Sequence, residues 1–333
     1  MSRPSAVTAA PVSYAIEANA LEKNYGKVRA LDGLSFTVQE GTVFGLLGPN
    51  GAGKTTTVKL LTTLTRADGG TAKVAGFDVR TQADRVRESI GCVTQKGQFD
   101  PEATGRENLT LQGRLYGVPR KELKQRTADL LDRFGLGQAA NRLARTYSGG
   151  MQRKLDVALG LVHQPKVLFL DEPTTGLDPE ARADMWRDIT RLASQEGLTI
   201  LLTTHYLEEA DQLANRLAIV DRGTIVAAGT PEELKAELRG DAIAVEVHPD
   251  AEPADAGKVL YELDGLREVT LEDRTLRARV DNGASAVPTV LAALDTAGVG
   301  VASVTVSRPS LDDVYLRHAG RTFATAEAEE VAA

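Results

Sequence analysis

The chain has 333 residues, enough for two domains, and its 42% hydrophobic content can bury a sizeable core. A formal charge of -7 leaves no overall basic field to hold nucleic acid or an acidic membrane surface. The single cysteine, Cys92, excludes a disulfide framework and a cysteine-rich metal site.

No run of about 18 apolar residues occurs, so the chain is expected to be soluble, with any spanning helices supplied by another chain. Residues 1–13 lack the apolar stretch of a secretory signal and read as a disordered tail. From residue 14 short apolar strands alternate with amphipathic helices. Residues 42–47 read as a strand, followed by a glycine-rich turn and a helix opening near Lys54. The stretch 101–143 is different, rich in Leu, Arg, Lys and Glu and poor in β-branched residues. There the spacing of Leu123, Leu130, Leu131 and Phe134 predicts a helical insertion, over about residues 100–145, with those four facing inward. Residues 167–170, 199–203 and 218–220 are apolar runs of the kind that form strands buried on both faces. The alternation predicts an α/β domain over residues 14–238 with a mostly parallel, doubly wound sheet.

A domain boundary is expected near Arg239, Gly240 and Asp241. Strands at 243–247, 269–271, 276–280 and 301–306 interleave there with helices near 256–263 and 286–297. That order, βαββαβ, predicts a small ferredoxin-like α+β domain over residues 239–321. Residues 322–333, an acidic Ala/Glu stretch, are expected to be a disordered tail.

Three segments carry chemistry. Gly48-Pro49-Asn50-Gly51-Ala52-Gly53-Lys54-Thr55 fits the P-loop pattern in full, between a predicted strand and a predicted helix. Its glycines let backbone N–H groups turn inward around phosphate oxygens, and the helix N-terminus adds positive potential. Lys54 is expected to reach the β- and γ-phosphates and Thr55 to ligate Mg²⁺, with Thr56 beside it in the nucleotide-binding set. Val167-Leu168-Phe169-Leu170-Asp171-Glu172 ends a buried strand in two carboxylates, at the edge where α/β ligand crevices form. Asp171 is placed to hold Mg²⁺ through water, and Glu172 to polarise the attacking water, a role worth roughly 10²–10⁴-fold. In Tyr147-Ser148-Gly149-Gly150-Met151-Gln152, Ser148 is a natural N-cap for a helix running through Leu155, Ala158, Leu159 and Val162. A capped helix with glycines at its start would by itself say nothing about phosphate.

Together the three segments resemble the ATP-binding cassette family of transporter ATPases, over about residues 14–235. Tyr147 and Met151 depart from the family's usual Leu and Gln, but the Ser148-Gly149-Gly150 core of the signature is intact. The resemblance implies a P-loop cassette in which an antiparallel β subdomain and a helical insertion join the mostly parallel sheet. It implies that Tyr25 stacks on adenine, and that Gln95 touches Mg²⁺ and relays to the membrane partner. Asp178 would lie in the loop that crosses a dimer, and His205 would be the switch histidine near the γ-phosphate. ATP at one P-loop would be completed by Ser148 and Gly150 of a second copy, which makes a two-fold homodimer the working unit. Its cofactors would be ATP and Mg²⁺, and its place the cytoplasmic face of the membrane beside a separate integral permease. Nucleic acid is not an expected partner.

Leu115-Tyr116-Gly117, the Tyr147–Met151 wording and the C-terminal domain resemble the drug-resistance exporters of daunorubicin and doxorubicin type. That implies efflux of a hydrophobic drug-like compound; a lipid or polysaccharide exporter, an importer, or a non-transport cassette ATPase is the alternative. DNA-repair relatives would separate P-loop and signature by coiled coils or zinc cysteines, and translation relatives carry two cassettes; this chain has neither feature. A P-loop kinase would lack the Ser-Gly-Gly signature. Ser310-Leu311-Asp312-Asp313-Val314-Tyr315-Leu316 resembles that group's C-terminal element, and Ser310 and Asp313 also make an ordinary capping box. His163, His248 and His318 show no partner pattern, and Cys92 reads as a small core residue.

Overall fold

The computed structural model describes residues 13–238 and 240–331 and divides into two compact units. Apart from Ser13, the N-terminal tail lies outside the described residues, as does Arg239 at the expected boundary. The first unit runs to Pro231 and takes in the C-terminal segment from Phe323; the second covers Glu232–Thr322.

In the first unit β1 (Tyr14–Tyr25) and β2 (Val28–Gln39) form an antiparallel hairpin. Its two-residue turn puts Gly26 at φ +60, the left-handed conformation that a tight hairpin asks of its first turn residue. β3 (Val43–Leu47) runs through the glycine-rich loop into α1 (Lys54–Leu61). β4 (Gly69–Val74) and β5 (Phe77–Asp78) return to the hairpin, giving the antiparallel order β2-β1-β4-β5.

α2 (Ala83–Ser89) leads to β6 (Ile90–Val93), and α3 (Gly105–Leu115) and α4 (Arg120–Arg133) form the helical insertion. Thr104 and Glu107 close a capping box at the start of α3. Leu123, Leu130, Leu131 and Phe134 are all buried, as their spacing requires. α5 (Gly149–Leu161), β7 (Val167–Asp171), α6 (Pro179–Glu196), β8 (Thr199–Thr204), α7 (Leu207–Leu213), β9 (Arg216–Asp221) and β10 (Thr224–Gly229) complete a second sheet. Its order is β10-β9-β3-β8-β7-β6, parallel throughout except for β10.

Every residue of β3, β7 and β8 is buried, because both faces of this sheet are covered. Alternate residues serve opposite faces. Leu168, Leu170, Ile200 and Leu202 join one core with Leu155, Leu159 and Met185. Val167, Phe169 and Leu201 join the other with Phe44, Val58 and Leu61. Each such side chain contributes roughly 1.5–3 kcal/mol by leaving water. The parallel register then fixes the site, since Leu47 pairs with Thr204 and Asp171 with Thr203. The loops leaving β3, β7 and β8 therefore emerge side by side at one edge.

The second unit comprises α8 (Pro231–Ala236) from its second residue, β11 (Asp241–Val247), α9 (Pro253–Glu262), β12 (Arg267–Glu272), β13 (Thr275–Val280), α10 (Gly283–Thr296), β14 (Val301–Ser307) and α11 (Leu311–Ala319). Its antiparallel sheet has the order β12-β13-β11-β14, which with βαββαβ connectivity is the ferredoxin-like arrangement. Ile243, Val245, Leu276 and Ala278 pack with Ala256, Leu260, Val290 and Leu294 of the two helices. The Ser310–Asp313 capping box is present, and Asp313 also lies 3.3 Å from Arg279.

One expectation is corrected. Residues 322–333 are not a disordered tail throughout, for α12 covers Phe323–Val331 with Phe323 and Ala326 buried. Ala and Glu are strong helix formers, and Phe323 and Ala326, three residues apart, share the side that the helix buries.

Candidate functional site

Backbone geometry explains the glycines of the P-loop. A Cβ on Gly48 would meet the carbonyl oxygen of Val220 at 2.3 Å. Gly51 takes φ +69 and Gly53 φ +106, and a Cβ on Gly53 would meet Ala30 O at 2.6 Å. The loop therefore passes through positions that favour glycine, by positive φ or by lack of room for a Cβ. Lys54 opens α1, is 4% exposed, and donates to Gly48 O at 2.6 Å and Pro49 O at 2.9 Å.

Five of the expected residues are brought into one chain of contacts. Thr55 donates its hydroxyl to Asp171, 3.1 Å from Oδ2. Lys54 Nζ lies 3.6 Å from Glu172 Oε1, and His205 Nδ1 lies 3.3 Å from Glu172 Oε2. The Thr175 hydroxyl also donates to Glu172, at 3.3 Å. Burial raises the Glu172 carboxyl, but His205, the Lys54 ammonium and Thr175 together outweigh it, and the net position is below the ordinary value. Glu172 is thus an ionised carboxylate at neutral pH, able to accept a proton. Its backbone takes φ +49, a left-handed conformation uncommon outside glycine.

Tyr25, Gln95, Ser148, Gly149, Gly150 and Asp178 lie outside those contacts. Tyr25, at the end of β1, is 47% exposed, with the Lys23 ammonium 5.4 Å from its ring centre. Gln95 is exposed just after β6. Ser148 is the N-cap of α5, accepting from Met151 N, and both Ser148 and Gly149 are exposed. A Cβ on Gly149 would meet nothing within 4 Å, whereas one on Gly150 would meet Ala181 Cβ at 2.9 Å. Gly150 thereby lets α5 approach the first turn of α6, whose N-cap is Asp178, accepting from Ala181 N at 2.8 Å. Tyr147 is buried and donates its hydroxyl to Ala139 O at 2.7 Å, so this departure from the usual Leu anchors the signature turn from behind.

Sequence reasoning missed several supporting groups. Thr203 donates to Asp171 at 2.5 Å and accepts from Glu172 N at 3.1 Å, joining β8 to both carboxylate residues. Glu209 is fully buried and accepts from Thr174 at 2.7 Å and Trp186 at 3.0 Å. Arg153 and Asp156 of α5 are buried too, and their bonds run to the segments carrying Glu172 and Gln95. A signal did exist for this pair: two charges three residues apart, set among the apolar positions of one helix.

Among the described residues no helix is long and apolar enough to cross a membrane, and no group of three or more His, Cys, Asp or Glu side chains could hold a metal ion. Thr55 and Asp171 nevertheless offer adjacent hard oxygen donors of the kind Mg²⁺ takes when phosphates complete its shell.

Residues 31–175 match the ABC transporter family, and residues 229–319 match the C-terminal domain of DrrA1-3-like ATP-binding proteins. The chain is 46% identical to the daunorubicin resistance ATP-binding protein DrrA2 of Streptomyces coeruleorubidus over 320 residues, covering 96% of this chain and 99% of that one. It is 33% identical to the linearmycin resistance ATP-binding protein LnrL of Bacillus subtilis, over 92% of this chain and 99% of the relative. Among solved structures, cbiO1 of Clostridium perfringens, part of the ABC transporter complex cbiONQ, matches with a TM-score of 0.63 and 27% identity. That match covers 67% of this chain and 91% of cbiO1. The chain belongs to the ABC transporter ATP-binding proteins, as an ATP-hydrolysing nucleotide-binding subunit closely related to the DrrA-type daunorubicin and doxorubicin resistance proteins.

Proposed function

We propose that this subunit powers efflux of a hydrophobic drug-like compound, working as a head-to-tail homodimer that closes on two Mg-ATP molecules. The P-loop of residues 48–55, through its backbone N–H groups (Pro49 has none) and the Lys54 ammonium, receives the phosphates, and Tyr25 receives the adenine. Thr55, Asp171 and Gln95 would hold Mg²⁺, which would supply positive charge against the phosphates. Glu172 takes the proton of the attacking water while His205 keeps it oriented toward the γ-phosphate. Ser148, Gly149 and Gly150 of a second copy, with Asp178 in the loop beside them, finish the pocket. Loss of the γ-phosphate removes several charge-assisted hydrogen bonds, each worth roughly 1.5–3 kcal/mol, and the dimer reopens. A separate integral permease on the same membrane carries the cargo, and the ATPase works on its cytoplasmic face.

The observation that carries this reading is the meeting of Lys54, Glu172 and His205, while Ser148 and Gly149 stay exposed on another helix. The kind of cargo is supported by the relatives named for daunorubicin, doxorubicin and linearmycin resistance. Light scattering tests the dimer: Glu172→Gln with Mg-ATP should double in mass, ADP should not double it, and Ser148→Arg should prevent doubling. A nucleotide-bound crystal in which one copy alone closes the pocket would overturn it. ATP-dependent daunorubicin uptake into everted vesicles containing the permease tests the cargo; no uptake refutes that part alone.

A further inference from the structure

The side chain of Arg153, on α5, is 8% exposed, and its guanidinium serves four backbone carbonyls. Nε donates to Pro173 O at 2.7 Å, and Nη2 to Asp171 O at 3.1 Å and Glu172 O at 3.2 Å. Nη1 donates to Thr94 O at 2.6 Å, the residue just before Gln95. One turn along the same helix, Asp156 is 3% exposed and accepts from Gln98 N at 2.8 Å. The loop carrying Gln95 is thus held at both ends by one helix, and the same helix grips the turn carrying Glu172.

We propose that Arg153 is a positioning residue for ATP hydrolysis, holding the Glu172 turn and the Gln95 loop in one fixed relation, with Asp156 closing the far end of that loop. The proposal rests on the reading of Glu172 as the group that accepts the water's proton. The physical need is visible at Glu172, whose φ of +49 is costly for a non-glycine residue and persists only where surrounding bonds over-determine it. Carbonyls on three successive residues, Asp171, Glu172 and Pro173, point to one planar donor fork and so provide that restraint. Only arginine presents several donors in a rigid plane wide enough to span them and reach Thr94; lysine offers three donors at one point. Because α5 begins at Ser148, any shift of the signature turn along this helix is passed through Arg153 to Glu172 and Gln95 together. The helix therefore couples closure of this copy's signature turn on the second copy's γ-phosphate to alignment of its own hydrolytic group.

The test is steady-state phosphate release and ADP calorimetry on full-length Arg153→Met, Arg153→Lys and Asp156→Ala. Arg153→Met should lower kcat roughly 10- to 100-fold, within the range of a misplaced general base, and leave KM for ATP and Kd for ADP within about threefold. Arg153→Lys should be only partly active, since it cannot span the carbonyls. The loss in an Arg153→Met, Gln95→Ala double variant should be smaller than the product of the single losses, because both act on one loop. Unchanged kcat with a lowered Tm would overturn the proposal in favour of a packing role. Failure of both Arg153 variants to bind ADP would overturn it equally, as would losses that multiply. If Glu172→Gln alone leaves turnover intact, the underlying reading of Glu172 fails; if Glu172→Gln is inactive and Arg153→Met is not, only the positioning role fails.

Discussion

Replacing Glu172 by Gln removes one charge and almost no volume, so its consequences can be worked from the geometry. The carboxylate is 7% exposed and sits 3.6 Å from Lys54 Nζ. At an effective dielectric near 20 that separation corresponds to a gross attraction of about 4–5 kcal/mol, most of it offset by desolvation of the two groups. Lys54 keeps its bonds to Gly48 O and Pro49 O in the variant, so the P-loop stays organised. Released from its carboxylate, Lys54 also has less competition for phosphate, and the affinity for ATP should be equal or tighter. Turnover behaves differently. Loss of a general base costs roughly 10²–10⁴-fold, or about 2.7–5.4 kcal/mol of barrier. Calorimetry with ATP and a steady-state phosphate assay on the same preparation separate the two effects. A variant that binds ATP normally and still turns over within about tenfold of the parent would refute the role assigned to Glu172.

Three further outcomes follow from buried features. Gly53→Ala places a Cβ 2.6 Å from Ala30 O at a φ of +106, and should cost roughly 2–5 kcal/mol by combining left-handed strain with overpacking. An unchanged urea midpoint would show that the loop relaxes. Burial, with the Asp171 charge adding to it, pushes the Cys92 thiol up to about 11, so native alkylation at pH 8 should run roughly a hundredfold or more below that of an unfolded chain. Equal rates in the two states would contradict the burial. Burial also raises Glu209 above its ordinary 4.5, more than its hydrogen bonds with Thr204, Thr174 and Trp186 lower it. Stability from its protonated form is complete below that ordinary value and is lost as pH rises through the raised one. Glu209→Gln, always neutral, should therefore gain Tm relative to the parent as pH is raised above 4.5, and a constant difference would refute the linkage.

What the sequence alone determined was whatever depends on residues close together in the chain. The P-loop was legible because its turn needs glycine where φ is positive or a Cβ has no room, and Gly48, Gly51 and Gly53 stand at those places. Asp171 and Glu172 were legible because an unbroken apolar strand delivers them, and Leu123, Leu130, Leu131 and Phe134 because a helix repeats its face in sequence. The C-terminal helix was not, since low complexity marks both a solvated tail and a good helix former, and burial of Phe323 and Ala326 depends on a surface supplied from elsewhere.

Tertiary structure decided the partnerships. Parallel strands cannot be joined by tight turns, so the order β10-β9-β3-β8-β7-β6 brings together residues far apart in the chain. Thr203 meets Asp171 across 32 residues in this way, and Arg153 meets Thr94 across 59. The place of Arg153 among apolar helix positions hinted at its burial, but not at its partners, because the carbonyls that satisfy it are backbone atoms that every residue type carries.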